Sequence, residues 1–229
     1  MGFKGIVALL LFTSAACGRL AIKDNCECGF YTSASGQKMY HWPDGAQIKY
    51  AIHRDFPGGL RPAVGAASLA YNELFANTQL SVDGESNAAP NIRNNQPDSV
   101  SNDGVNGVYW IEGEWPWAED QPHSDAMTVV TFAQERIVEA DVFFKASAFD
   151  SNGGRSDQNP TTFDFEQDSK DAQWTFVIAV HELGHSLGRV HSKSTSSVMF
   201  PSVGLNFVGN PLPNYDEEKF SSVYELKSN

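Results

Sequence analysis

Eleven residues, His181-Glu182-Leu183-Gly184-His185-Ser186-Leu187-Gly188-Arg189-Val190-His191, hold three imidazoles and a carboxylate at spacings that suit metal chemistry. An α-helix turns once in about 3.6 residues, so His181 and His185 stand one above the other and their ring nitrogens can converge on one cation. Glu182 is rotated by about 100° from His181, badly placed as a third ligand and well placed to reach water on the ion. Gly188 can leave the helix in the left-handed conformation that other residues resist, which swings His191 back to the same point. Three neutral imidazoles leave one position open on a tetrahedral ion, the arrangement of a catalytic zinc site rather than a closed structural one. Such an ion brings bound water to a pKa of about 7 and polarises a carbonyl. Glu182 can take the water's proton and pass it to a leaving amine. The expected chemistry is metal-assisted amide hydrolysis. A His-x-x-x-His pair alone is an ordinary helix face, but the full pattern is far rarer.

A helix must carry this motif, and residues 173 to 188 form the best long helix in the chain. Alternation over residues 46 to 53, with Ile48, Tyr50 and Ile52 on one side, predicts a half-buried strand. Residues 61 to 77 carry a helical stripe of Val64, Ala67, Tyr71, Leu74 and Phe75, with Pro62 in the first turn. Further strands are expected at 108–111, 128–132 and 137–144, the last with Val138, Ala140, Val142 and Phe144 on one face and Asp141 on the other. Residues 216 to 227 read as a closing helix capped by Asp216, with Phe220, Val223 and Tyr224 on one face. Residues 83–107 and 147–172 are polar and read as long surface loops. Val203, Leu205 and Phe207 either pack in the core or line a pocket for a hydrophobic substrate side chain.

The chain has 229 residues, enough for one domain and a tail. Apolar residues make up 41% and charged residues 19%, which argues against wholesale disorder. A net charge of −12 argues against nucleic-acid binding through a basic face. Residues 1–16 have the parts of an export signal: Lys4, an apolar run over 5–12, and Ser14-Ala15-Ala16 before the cut. No later apolar run is long enough to cross a bilayer. Cys17 follows the cut directly, as in a bacterial lipoprotein signal. The mature chain therefore either carries lipid on Cys17, which tethers it to a membrane, or begins with a free thiol. Residues 17–38 are expected to be a flexible tail, and residues 39–229 the domain. Cys26 and Cys28 could form a strained disulfide, bind metal or stay reduced. The expected product is a monomer, secreted or held at the cell envelope.

HELGHSLGRVH resembles the motif of the metzincin metallopeptidases. Met199, eight residues after His191, resembles their methionine turn, and Ser192 and Pro201 resemble the matrixin branch. Trp42 ahead of the first strand, Glu139-Ala140-Asp141-Val142, and Asp216 with the last helix are also similar to that family. The resemblance covers roughly residues 40–226 and is specific over 180–201. It implies an α+β fold: a twisted, mostly parallel sheet packed on helices, an active-site helix, a methionine turn and a C-terminal helix. It implies a zinc metalloendopeptidase with His181, His185 and His191 as ligands, Glu182 as general base, and Met199 packed beneath the ligands without binding the ion. Substrate would lie extended along an edge strand.

Some features depart from the family. The His and Asp pattern of a second, structural zinc is missing. The loop at 147–172 is acidic but lacks regular calcium-ligand spacing, so Ca²⁺ stays open and a solvated loop is preferred. Arg189 stands where the family has an apolar residue and is expected to snorkel to solvent. No pro-segment of the family's size is present. Cys26 or Cys28 could supply a thiolate to the open zinc position, although the flanking residues do not match the family's switch. Two rival functions use the same text, a binding protein that keeps the fold without catalysis and a zinc amidase acting on cell-wall peptides. The intact Glu182 and ligands argue against the first, and the acidic charge argues against the second.

Overall fold

The computed structural model describes residues 8–13, 30–32, 39–87, 103–119, 124–133, 136–150 and 170–228. The three cysteines and most of both polar loops lie outside them. β1 (Ala8–Thr13), β2 (Gln47–His53), β3 (Gln79–Ser86), β4 (Asn106–Ile111), β5 (Ala126–Ala133) and β6 (Arg136–Lys145) form one sheet in the order β1-β5-β6-β4-β2-β3. The β6–β4, β4–β2 and β2–β3 pairs are parallel, while β5 runs antiparallel to both β1 and β6. α1 (Arg61–Leu74) and α3 (Lys170–Ser186) pack on one another, α1 against β3 and α3 against β5 and β6. α2 (Ala146–Asp150) is a short turn after β6, and α4 (Asn214–Phe220) closes the described fold. The architecture is the expected α+β one.

Alternation sorts each strand's side chains between two cores. On β5, Ala126, Val130 and Phe132 join the main core under the helices, whereas Met127 and Val129 join a second cluster with Tyr109, Trp115, Trp117 and Phe143. β5 is therefore buried on both faces, which accounts for its nearly unbroken apolar run. β2 shows the cleaner pattern, with Ile48 and Tyr50 inside and Gln47 and Lys49 exposed.

Several expectations need correction. A bulge between β5 and β6 pairs Thr131 with Glu139 and Phe132 with Ile137, which skips Val138. Ile137 is buried in its place and Val138 is 39% exposed. β3 lies partly inside the stretch read as a loop. It is an edge strand on which Leu80 alone is fully buried, so little apolar pattern marks it. α4 ends at Phe220, and its N-cap is Pro213, not Asp216. Beyond it, Lys227 N–H donates to Leu74 O (2.9 Å) and Ala76 N–H to Glu225 O (2.9 Å), fastening the terminus to the end of α1.

The boundary at residue 39 is also too late. Phe30 and Tyr31 are fully buried in the main core, and Phe30 bridges to Arg189 and Thr32 to Met39. Two large aromatic groups with a place under the helices cannot belong to a free tail. Ala8–Thr13, the apolar stretch of the expected export signal, lies along the outer edge of β5 from Ala8 opposite Phe132 to Thr13 opposite Met127.

Candidate metal centre

α3 brings the motif to the edge of the main core and ends in a Schellman turn. Gly188 N–H donates to His185 O (2.9 Å) and Arg189 N–H to Gly184 O (3.0 Å), with Gly188 at φ 97° in the left-handed position. A Cβ at Gly188 would also fall on the Tyr40 carbonyl. The other carbonyls of the helix end are met by buried aromatic donors: Trp42 Nε1–H to Ser186 O (2.8 Å) and Tyr224 OH to Leu187 O (2.8 Å). About two turns earlier, Tyr71 OH donates to Val180 O (2.7 Å).

The turn returns His191 to the helix face. His181 Nε2 lies 3.3 Å from His191 Nε2 and 3.1 Å from His185 Nε2. Among the described residues these three form the one convergent group of potential ligands, and Glu182 stays outside it. His181 Nδ1 is 2.6 Å from Val198 O and His185 Nδ1 is 2.8 Å from Arg189 O. A carbonyl can only accept, so Nδ1 carries the proton on both rings and Nε2 presents its lone pair. Burial holds all three imidazoles neutral: His181 is lowered to about 4, His191 to about 3 with His181 contributing, and His185 well below its ordinary value. Neutral rings with convergent lone pairs are what a divalent metal requires, and three nitrogens without thiolate suit zinc.

Glu182 is fully buried. Thr128 Oγ1 on β5 lies 2.7 Å from its Oε2 and 3.0 Å from its backbone carbonyl. Its Oε1 has no hydrogen-bond partner among the described residues. Burial pushes the carboxyl up to about 8, tempered by the Thr128 bond.

Met199 is buried against Gly184, where a Cβ would collide with its sulfur and crowd the Tyr71 hydroxyl. The methionine turn is fastened at Ser192 N–H to Met199 O (2.8 Å) and by Asp216, which accepts from Ser197 Oγ (2.5 Å) and Val198 N–H (2.8 Å). Arg189 does not snorkel. It is 1% exposed, lies 3.4 Å from Asp216 Oδ1, and its guanidinium covers Phe220 at 5.0 Å and Phe30 at 5.5 Å. Phe207 belongs to the main core, and Val203 packs against it.

The structure thus brings together His181, His185 and His191, with Glu182 next to His181 on the same helix and Met199 packed against Gly184 of that helix. Cys17 lies outside the described residues. Sequence reasoning missed Thr128 and Tyr31, and read Asp216 as a cap. Thr128 left a trace, a lone hydroxyl on the inward side of an apolar strand. Tyr31 left none.

The matrixin family model matches residues 94–225, more than half of the chain. The chain belongs to the matrixin family. Matrix metalloproteinase-2 of Drosophila melanogaster is 40% identical to this matrixin over 68 residues, 29% of this chain and 9% of that protein. Neutrophil collagenase of Homo sapiens is 38% identical over 55 residues, 24% of this chain and 12% of that one. The matched stretches thus span about a tenth of the length of these curated relatives. The crystal structure of myroilysin aligns over 94% of this chain and 80% of its own at 14% identity and a TM-score of 0.30, too faint a likeness to bear on the fold.

Proposed function

We propose that this matrixin is an exported zinc endopeptidase, with His181, His185 and His191 holding the ion and Glu182 serving as general base. The observation that carries the reading is the convergence of the Nε2 atoms of three neutral imidazoles beside a buried carboxyl, one oxygen of which has no hydrogen-bond partner among the described residues. Zinc in this cradle would supply Lewis acidity, polarising a peptide carbonyl and acidifying water. Glu182 accepts a proton at Oε1 and returns it to the departing amine, while Thr128 holds Oε2 still. A fixed carboxylate in a water-poor site needs little reorganisation as the charge develops. Met199 supports the rings from below and binds nothing.

Residues 1–16 act as the export signal in this reading. Their removal frees the β5 edge, which borders Glu182 through Thr128, for an extended peptide running antiparallel.

Purified residues 18–229 test the assignment. The expected result is about one zinc per chain and cleavage of a mixed peptide library that a chelator stops. A Glu182→Ala variant should keep the metal and lose roughly 10²- to 10⁴-fold in rate. A protein that binds no zinc, or a variant that cleaves normally, would refute it.

A further inference from the structure

The N-terminal segment reaches into the metal centre. Tyr31 is fully buried, its N–H donates to Gly188 O (2.9 Å), and its ring meets Phe132 of β5 edge-on at 6.0 Å. The residue before it, Phe30, bridges to Arg189 and lies under its guanidinium. These contacts place the Tyr31 hydroxyl oxygen 3.2 Å from His185 Nδ1. The same nitrogen lies 2.8 Å from Arg189 O. The carbonyl must accept, so the proton sits on Nδ1 and the phenol oxygen takes the second share of a three-centre bond.

We propose that Tyr31 is a positioning residue of the metal centre. It fixes the ring plane of His185, whose tautomer the Arg189 carbonyl sets, so that Nε2 faces the other two imidazoles, and its backbone bond to Gly188 holds the turn that returns His191. A ligand's remaining ring nitrogen is normally held by an outer partner, and such partners set metal affinity as well as activity. In this chain one acceptor comes from the motif's own turn. The other comes from a segment more than 150 residues away in sequence that also fastens that turn. The functional unit therefore includes Phe30 and Tyr31, and processing that removes them would remove part of the zinc site.

The inference rests on the three-histidine reading above, and its test separates the two. Zinc affinity is measured in the full chain by competition with a chromophoric chelator for the native protein, Tyr31→Phe and Tyr109→Phe. The last removes a hydroxyl in the second cluster, which does not include His181, His185 or His191. Tyr31→Phe keeps the ring, so the metal-free unfolding midpoint should stay near the native value while zinc affinity falls about tenfold. Peptidase activity lost at limiting zinc should return at saturating zinc with KM unchanged. The cobalt-substituted variant should show a shifted visible spectrum. Zinc affinity of Tyr31→Phe within about twofold of native, or an equal loss in Tyr109→Phe, overturns the positioning role. A native chain that binds no zinc overturns the metal centre itself.

Discussion

Glu182 and Glu139 are both buried carboxyls with raised proton affinity, the first pushed up to about 8 and the second to about 7, chiefly by burial. Each has one oxygen, Oε1, without a hydrogen-bond partner among the described residues. Their surroundings differ. Glu182 follows His181, one of three neutral imidazoles whose Nε2 atoms converge, and a threonine hydroxyl holds its other oxygen. Glu139 receives the Gly104 backbone N–H, and the neighbouring Asp103 raises the cost of its ionisation. Burial is thus the chief cause that lifts both carboxyls well above their ordinary value. Chemistry requires in addition an electron-poor partner that the free oxygen can serve, and the histidine cluster is the place in the described fold where one can be held.

The contrast can be broken most directly by removing a ligand. His185→Ala should abolish zinc retention and leave no measurable cleavage; metal analysis after dialysis decides, and a variant that still holds one zinc would show the cradle tolerates two rings. Next, Glu182→Gln should lower kcat by roughly 10²- to 10⁴-fold with zinc intact, whereas Glu139→Gln should leave kcat unchanged. Equal losses in the two would erase the distinction between them.

A third acid sharpens the comparison because it does have a cation. Asp216→Ala removes the carboxylate beside the buried Arg189 guanidinium and should cost about 3–5 kcal/mol in urea unfolding. Joining it to Arg189→Met should recover much of that, and no recovery would mean that the pair's role lies in fastening the methionine turn. The pH dependence follows from Glu182. In the metal-free chain it keeps its proton to about pH 8, while unfolding returns it to the ordinary value of 4.5. Below 4.5 both states are protonated and no penalty arises. From 4.5 to 8 folding must increasingly bury a charge or take up a proton, so the native chain loses stability against Glu182→Gln, by about a few kcal/mol at most. Urea midpoints for the two proteins should diverge across that range, and a constant gap would contradict a raised pKa. The smallest effect belongs to Thr128→Val, about a tenfold fall in kcat with KM and zinc affinity unchanged, restored by Thr128→Ser, as expected for one lost hydrogen bond to a charged group. A serine variant as slow as valine would assign Thr128 to packing alone.

What could be read from the chain was what periodicity and spacing encode. The helix bearing His181 and His185, the turn at Gly188 and the alternation of β2 follow from local geometry, and all are present. What escaped depends on partners distant in sequence. β3 is half exposed and carries hardly any pattern. Val138 lost its inward place to a bulge that only pairing with β5 creates. Arg189 looked bound for solvent because Asp216, Phe30 and Phe220 meet it only in three dimensions. Tyr31 sits among small and polar residues without periodicity, and nothing nearby announces that it belongs under a helix starting well over a hundred positions later.

Gly184 and Met199 show what this interlocking entails. The sulfur occupies the volume that any side chain at 184 would need, and the tyrosine hydroxyl beneath Val180 takes the rest. Transplanting the eleven-residue histidine segment onto a foreign scaffold would carry over the ring spacing but leave a void where the thioether belongs. Enlarging the glycine to alanine in this one would drive the thioether outwards and tilt the floor on which the rings stand. The two positions, fifteen apart in the chain, have to be engineered as a single part.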